Sequence, residues 1–379
     1  MKRHLCNHFG DYSLKQITPW AMLIFSSILL IIVSPLSLMN QTKVGDWTEQ
    51  KAIDRMFFGI SKTVCMENLT KNLQLANKTI DIAISAPGED FSYKLFFDYL
   101  STINPAVKVR IYTDIPKSSV PSNLIYIPFN HTGYTFKANF FIIDSYRVYF
   151  FGGYNFLVET SSKRANDFCY LYEIENHLLL TKDLESIFNF LTLNKENFAN
   201  KVIERKYLTN LDNQSKFKLL LQPFEIFPLG RNNFSEAFSE IAFTNKERAI
   251  VTGSLLQDNY DSFDYARKAA IVFALFEQTH NNDRITRLVI SSQNFEKYEK
   301  YYANMSTELA RLKYLYCNLP IGWTTIQSVF SFAYLPMDLV DIFNPKIISV
   351  GIQGKINYLS YFYILLRELE NFCKQFKKD

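Results

Sequence analysis

The first pattern along the chain is an uncharged run: no residue between Lys15 and Lys43 carries a formal charge, and Pro19–Met39 (PWAMLIFSSILLIIVSPLSLM) is almost wholly apolar. At a helical rise of about 1.5 Å per residue this run reaches about 30 Å, the thickness of a hydrocarbon core. It predicts one membrane-spanning helix. Lys2, Arg3 and Lys15 precede it, whereas Lys43 and Lys51 follow it together with Asp46 and Glu49. That bias predicts a cytoplasmic tail over 1–18, a signal-anchor over 19–39, and a lumenal or extracellular remainder: a single-pass type II membrane protein. A cleaved signal peptide is the alternative. Its lead-in is long for one, and Pro35-Leu36-Ser37 is a poor cleavage site.

Past a stalk expected over 40–60, short apolar runs alternate with stretches of helical spacing, and the order occurs twice. The first pass has strands at Thr79–Ser85, Val107–Tyr112 and Asn123–Pro128, with a helix at Tyr93–Leu100. A hairpin follows, Asn139–Asp144 into Arg147–Phe151, and a helix at Lys182–Leu191 ends the unit. The second pass has strands at Ala249–Thr252, Arg287–Ile290 and Tyr314–Cys317, with helices at Tyr265–Gln278 and from Phe295 to about Leu312. A hairpin-like pair, Phe330–Tyr334 and Lys346–Val350, precedes a last helix at Tyr358–Phe376. The pattern predicts a duplicated domain, 61–205 and 206–379, built as two tandem α/β/α sandwich repeats with mixed sheets.

Composition narrows the class without naming a function. The 379 residues are 48% apolar, with 34 Phe and 23 Tyr but only 12 Gly and 12 Pro, which excludes disordered and collagen-like chains and favours sheet. A net charge of +4 is too mild to argue for a nucleic-acid partner by itself. Asn-x-Ser/Thr acceptors begin at Asn68, Asn77, Asn130, Asn213, Asn233 and Asn304; a further one at Asn40 lies too near the expected bilayer. Cys6 falls on the cytoplasmic side, leaving Cys65, Cys169, Cys317 and Cys373, which allow two disulfides in three connectivities. No Cys/His spacing suggests a metal, and no glycine-rich phosphate loop or G-x-S-x-G elbow suggests a cofactor or a serine nucleophile.

The hairpin of the first pass carries the recognisable chemistry. Tyr134–Asn155 (YTFKANFFIIDSYRVYFFGGYN) resembles the phospholipase D superfamily, whose motif reads H-x-K, four mainly apolar residues, Asp, then a strand ending in Gly-Ser/Gly-x-Asn. Asp144, Gly152, Gly153 and Asn155 match it, with one residue inserted after the aspartate, and Asp167 lies near a position where the family often has Glu. With the anchor, the duplication and the glycosylation acceptors, the likeness is to the membrane-anchored, endolysosomal, 5′-exonuclease-like branch. The resemblance implies two phospholipase D-like repeats whose motifs face each other across a pseudo-two-fold axis.

The departures from the motif decide the expected mechanism. Active members use one histidine as nucleophile on phosphorus and a second as general acid and base. Here Lys137 stands at the histidine position and Asn139 at the lysine position. In the second pass the best aspartate is Asp341, which puts Tyr334 and Pro336 at the preceding positions; Gly351 and Gly354 only echo the glycine pair. His4 and His8 lie before the anchor, while His131, His177 and His280 are not followed by x-Lys, and His131 reads as a solvated loop residue. An ordinary protonated lysine cannot attack phosphorus. The expectation is a catalytically degenerate protein retaining a groove, lined by Lys137, Asn139, Gly153 and Asn155, for a phosphate-bearing ligand. That ligand would be single-stranded nucleic acid or a phospholipid headgroup, and the resemblance allows a homodimer or pairing with active relatives. The alternatives are an active phosphodiesterase with an altered site around Lys137, and a structural or adhesive ectodomain. Glu89 and Asp90 read as a solvated turn, and Lys374, Lys377 and Lys378 as a solvated helix end.

Overall fold

The computed structural model describes residues 53–59, 62–86, 94–117, 120–152, 169–194, 217–223, 247–252, 285–291, 312–317, 323–338 and 346–355, with scattered positions in 226–241, 341–344 and 363–371. In chain order the first half contains β1 (Ile53–Gly59), α1 (Lys62–Gln74), β2 (Thr79–Ile84), α2 (Lys94–Ser101), β3 (Lys108–Thr113), β4 (Ile125–Pro128), β5 (Thr135–Ile143), β6 (Arg147–Gly152), β7 (Cys169–Glu175) and α3 (Leu178–Leu193). The second half contains β8 (Phe217–Gln222), β9 (Glu247–Thr252), β10 (Ile285–Ser291), β11 (Leu312–Cys317), β12 (Thr324–Ser328), β13 (Ser331–Leu335) and β14 (Ile347–Lys355). Ile53–Gly59 pairs antiparallel with β7, so the sheet begins inside the stretch expected to be a stalk.

The two halves use one strand order. β4, β3 and β2 are parallel, and β5, β6, β7 and β1 follow on β2, each antiparallel to the one before. β11, β10 and β9 are likewise parallel, and β12, β13, β14 and β8 follow on β9 in the same alternating sense. This matching corrects the second hairpin. The counterpart of β5–β6 is β12–β13, whereas the pairing of Phe330–Tyr334 with the strand starting at Lys346 corresponds to β6–β7. The sequence hides this because Thr324–Ser328 is polar in composition yet wholly buried, so it lacks the apolar alternation that marks a half-exposed strand.

The sheet is continuous between the halves. β5 lies parallel to β14, from Thr135 opposite Ile347 to Ala138 opposite Val350. Beside this ladder, Trp323 stacks on Tyr170 at 5.2 Å between ring centroids, and Tyr170 stacks on Tyr334 at 5.6 Å. The Tyr334 hydroxyl donates to the Phe151 carbonyl. Alternation along β5 divides its residues between two cores. Phe136, Ala138, Phe140 and Ile142 enter the core that contains this aromatic cluster and α3, and Phe141 and Ile143 enter the one under α1 and α2.

A disulfide between Cys65 of α1 and Cys169 of β7 closes α1 over the second core, resolving one of the open connectivities. By its loop length of 104 residues such a bond restricts the unfolded chain by about 4–5 kcal/mol in the chain-entropy account. A buried pair adds orientation: the Arg110 guanidinium donates twice to Asp81 at 2.6 Å, and its plane lies 4.9 Å from the Phe188 ring centroid, fixing α3 across β2 and β3. Among the described residues no helix is long and apolar enough to cross a membrane; Pro19–Met39 lies outside them. Of the glycosylation acceptors, Asn77 and Asn130 are exposed and Asn68 is half-buried, while Asn213, Asn233 and Asn304 lie outside the described residues.

Gly152 is where the seam tolerates no side chain, since a Cβ there would sit 2.6 Å from the Trp323 ring. Trp323 is fully buried and stacked, and cannot step aside cheaply. Gly152→Ala is expected to lower stability by about 1–3 kcal/mol, measured by urea unfolding. An unchanged midpoint would show that the halves are not locked through this contact.

Candidate functional site

β5 carries the first-half motif from one end of the sheet to the other. Its start lies beside the C-terminal ends of the parallel strands β2 and β3, where open α/β sheets place their ligands. There the Asn139 side chain is buried, and its Oδ1 accepts from the Ser85 amide at 3.4 Å and the Ser85 hydroxyl at 3.3 Å. Lys137 is half-buried two residues earlier, and its carbonyl accepts from the Ser349 hydroxyl at 2.6 Å across the seam.

Asp114, just past the end of β3, completes the cluster, and its carboxylate accepts from the Ala86 amide at 2.5 Å. Burial raises its pKa, offset in part by the amides of Ala86 and of Asp114 itself and then by the Lys137 charge. Burial and the nearby Asp114 charge also push the Tyr112 and Tyr126 hydroxyls up, so both phenols stay neutral. Asp114 was not singled out from sequence. A carboxylate directly after a buried parallel strand was the available signal.

Asp144 has a separate duty. Its backbone is left-handed, with φ 50°, and its carboxylate accepts from the amides of Asn77 and Lys78 at 2.7 Å and of Thr79 at 2.9 Å. Five residues of extended chain put it about 17 Å from Asn139. It latches the entry into β2 and takes no part in the Lys137 cluster.

Strand register gives the second-half counterparts of the first-half positions. Ile84 pairs with Asn139 where Thr252 pairs with Thr324 in the other half. Thr324 therefore takes the place of Asn139 and Val329 that of Asp144. The assignment to Tyr334, Pro336 and Asp341 is thereby corrected. Tyr334 is a seam residue of β13, Pro336 follows that strand, and Asp341 lies in the connection to β14, its amide bonded to the Asp338 carbonyl at 3.0 Å.

The described histidines lie elsewhere. His131, read from sequence as solvated, is buried with its ring 5.1 Å from that of Phe129, in a loop that packs toward the C-terminal end of α3 near the Asn194 backbone. The aromatic cluster of Phe129, Phe136 and Tyr112 draws the loop inward. His177 caps the N-terminus of α3, its Nδ1 accepting from the Leu180 amide at 3.1 Å. His4, His8, His280, Gly153, Asn155, Asp167, Glu89, Asp90, Lys374, Lys377 and Lys378 lie outside the described residues. Among the described residues no group of side chains would hold a metal ion.

Phosphatidylserine synthase from Haemophilus influenzae Rd KW20 has a similar structure, with a TM-score of 0.57 at 11% identity over 85% of this chain and 87% of that one. Nuc of Salmonella typhimurium, a phospholipase D family member, overlaps 39% of this chain and 97% of its own at 12% identity and a TM-score of 0.31. This chain shares the fold of that phosphatidylserine synthase. NucT from Helicobacter pylori overlaps 38% of this chain and 98% of its own, at 14% identity and a TM-score of 0.29. No family model and no curated protein matches the sequence. On this frame the described cluster offers one ammonium, one half-buried carboxyl, one amide and one hydroxyl. Such a set can hold an anionic oxygen without supplying an imidazole.

Burial lowers the His131 pKa to about 4 from an ordinary 6.5, the Asn194 backbone opposing the shift. Its folded value is depressed, so the stability it contributes is fully present above about pH 6.5 and fades as pH falls toward 4. Melting temperatures from pH 7.5 to 4 are expected to fall more steeply in the parent protein than in His131→Phe. Equal slopes would show that this imidazole is not held neutral.

Proposed function

We propose that this protein is a single-pass type II membrane glycoprotein whose lumenal part is a duplicated, catalytically silent phospholipase D-like phosphodiesterase. In this reading it retains a groove around Lys137 and Asn139 that binds a phosphate-bearing ligand. The pattern that carries the reading is Lys137-x-Asn139 in the first half and, by sequence spacing from Thr324, Gly322-x-Thr324 in the second. The phosphohistidine route needs one imidazole to attack phosphorus and another to protonate the leaving oxygen. Losing one such group typically costs about 10²–10⁴-fold, and here both positions are replaced.

The shared strand order of the halves supports the duplication. The length of Pro19–Met39 supports the anchor. The Cys65–Cys169 bond fits an oxidising compartment, and the exposed Asn130 suits a glycan there. Lys137 would serve the groove as a fixed positive charge for phosphoryl oxygens. A second reading, residual phosphodiesterase activity, draws on Asp114: a carboxyl whose pKa is raised by burial, beside a lysine, is a plausible proton donor.

The full-length protein incubated with single-stranded oligonucleotide or with phosphatidyl lipid is expected to release no product. Vanadate or tungstate is expected to raise its melting temperature, and Lys137→Ala to abolish that shift. Turnover that disappears in both Lys137→Ala and Asp114→Asn would establish the second reading. Absence of both turnover and anion stabilisation would leave a purely structural or adhesive ectodomain.

A further inference from the structure

Four large apolar side chains that folding leaves exposed lie at one end of the molecule, the end where the chain enters the sheet. β5 and β14 are parallel neighbours, and β12 runs parallel to both, so the β5–β6 and β12–β13 turns point the same way. Contacts run laterally between them. The Asn176 amide donates to the Tyr146 carbonyl at 2.8 Å, the next residue, His177, meets Phe217 at 5.1 Å, and Phe217 pairs with Gly354, which pairs with Phe332. Around this end stand Leu75 at the close of α1 (56% exposed), Leu178 and Leu179 opening α3 (62% and 49%), and Phe330 at the tip of the second hairpin (71%). The tip is braced: the Ser328 hydroxyl oxygen accepts from the amides of Phe330 and Ser331, so Phe330 is held out on a rigid turn.

We infer that this end is a bilayer-docking surface, with Phe330, Leu178, Leu179 and Leu75 seated at the membrane interface in which the chain is anchored. The inference rests on the proposed anchor at Pro19–Met39. Thirteen residues separate Met39 from Ile53, a reach of at most about 45 Å. Ile53 opens β1 opposite Glu175, which also faces Arg147 beside the first turn, so the tether enters at the apolar end. Charge agrees with an anionic surface. Lys71, Lys78, Lys182 and Lys355 are exposed around it, while the described carboxylates Asp144, Glu173 and Glu175 are engaged, the first by three amides and the other two by Arg147. The Lys137 cluster sits at the other end of β2 and β5, so the groove opens away from the bilayer. Its ligand then comes from the lumen and not from headgroups of the anchoring membrane.

The test uses the full chain in phosphatidylcholine/phosphatidylserine vesicles with or without bromine on the acyl chains, which quenches nearby indoles. Tryptophan is added one position at a time as Phe330→Trp, Leu178→Trp or Leu193→Trp, the last lying at the far end of α3 and 84% exposed. Relative to the parent protein, the added fluorescence is expected to be lost at positions 330 and 178 and retained at 193. Equal quenching at all three positions, or none, overturns the inference, as does a glycan on Asn77 of the mature protein, because Asn77 lies on this face. Alkaline carbonate separates the two failures. A chain that is extracted loses the anchor reading and this inference together, whereas a chain that resists extraction yet fails the quenching pattern loses this inference alone.

Discussion

The contact of Trp323 with Gly152 is the constraint on which the rest of the structure depends. Each half has a sheet whose inner face is apolar and cannot stand in water, and the β5–β14 ladder turns the two sheets into one. An indole laid flat on a glycine lets strands from different halves approach closely enough for Tyr170 and Tyr334 to stack beside it. Aromatic pairs of this kind contribute about 0.5–1.5 kcal/mol each beyond the area they bury. That is a large share of a typical net stability of about 5–15 kcal/mol.

The same seam sets the chemistry. It presents the start of β5 beside the ends of β2 and β3, and there the chain supplies Lys137, Asn139, Ser85 and Asp114. A lysine fixed by backbone pairing attracts anionic oxygen, and a half-buried carboxyl next to it, its pKa raised by that burial, tolerates a proton more readily than an exposed one. Neither provides the imidazole pair that phosphoryl transfer through a phosphohistidine requires. Aspartate persists at the far end of the hairpin for another reason. Asp144 holds three amides at a turn whose own backbone is left-handed, a structural function independent of catalysis.

The strands impose a polarity on the molecule. Because β2, β5, β12 and β14 share one axis, polar groups gather at one end, while braced turns and exposed leucines gather at the other. The chain enters at the second end.

Much of this was legible in order along the chain. The period-two run at Thr79–Ser85, the apolar run at Asn139–Ile143, the helical spacing of Tyr93–Leu100 and the Asp144 turn are local signals, and each forms the element its pattern predicts. That the spacing sets Lys137 where the resembled motif has histidine is read from the sequence alone. What only the tertiary structure decided depends on neighbours distant in sequence. Burial on both faces erases alternation, so β12 stayed hidden and the second hairpin was read as Phe330–Tyr334 with Lys346–Val350. His131 looked solvated in a polar tripeptide until packing against Phe129 drew it inside. Asp114 became a site residue only once β3 and β5 shared a sheet with β2, and Cys65 found Cys169 because α1 lies over β7. Local sequence sets dihedral preference and periodicity; which faces meet, and which charges lose their water, is settled by contacts between elements, from Asp114 with Ala86, 28 positions apart, to Cys65 with Cys169, 104 apart.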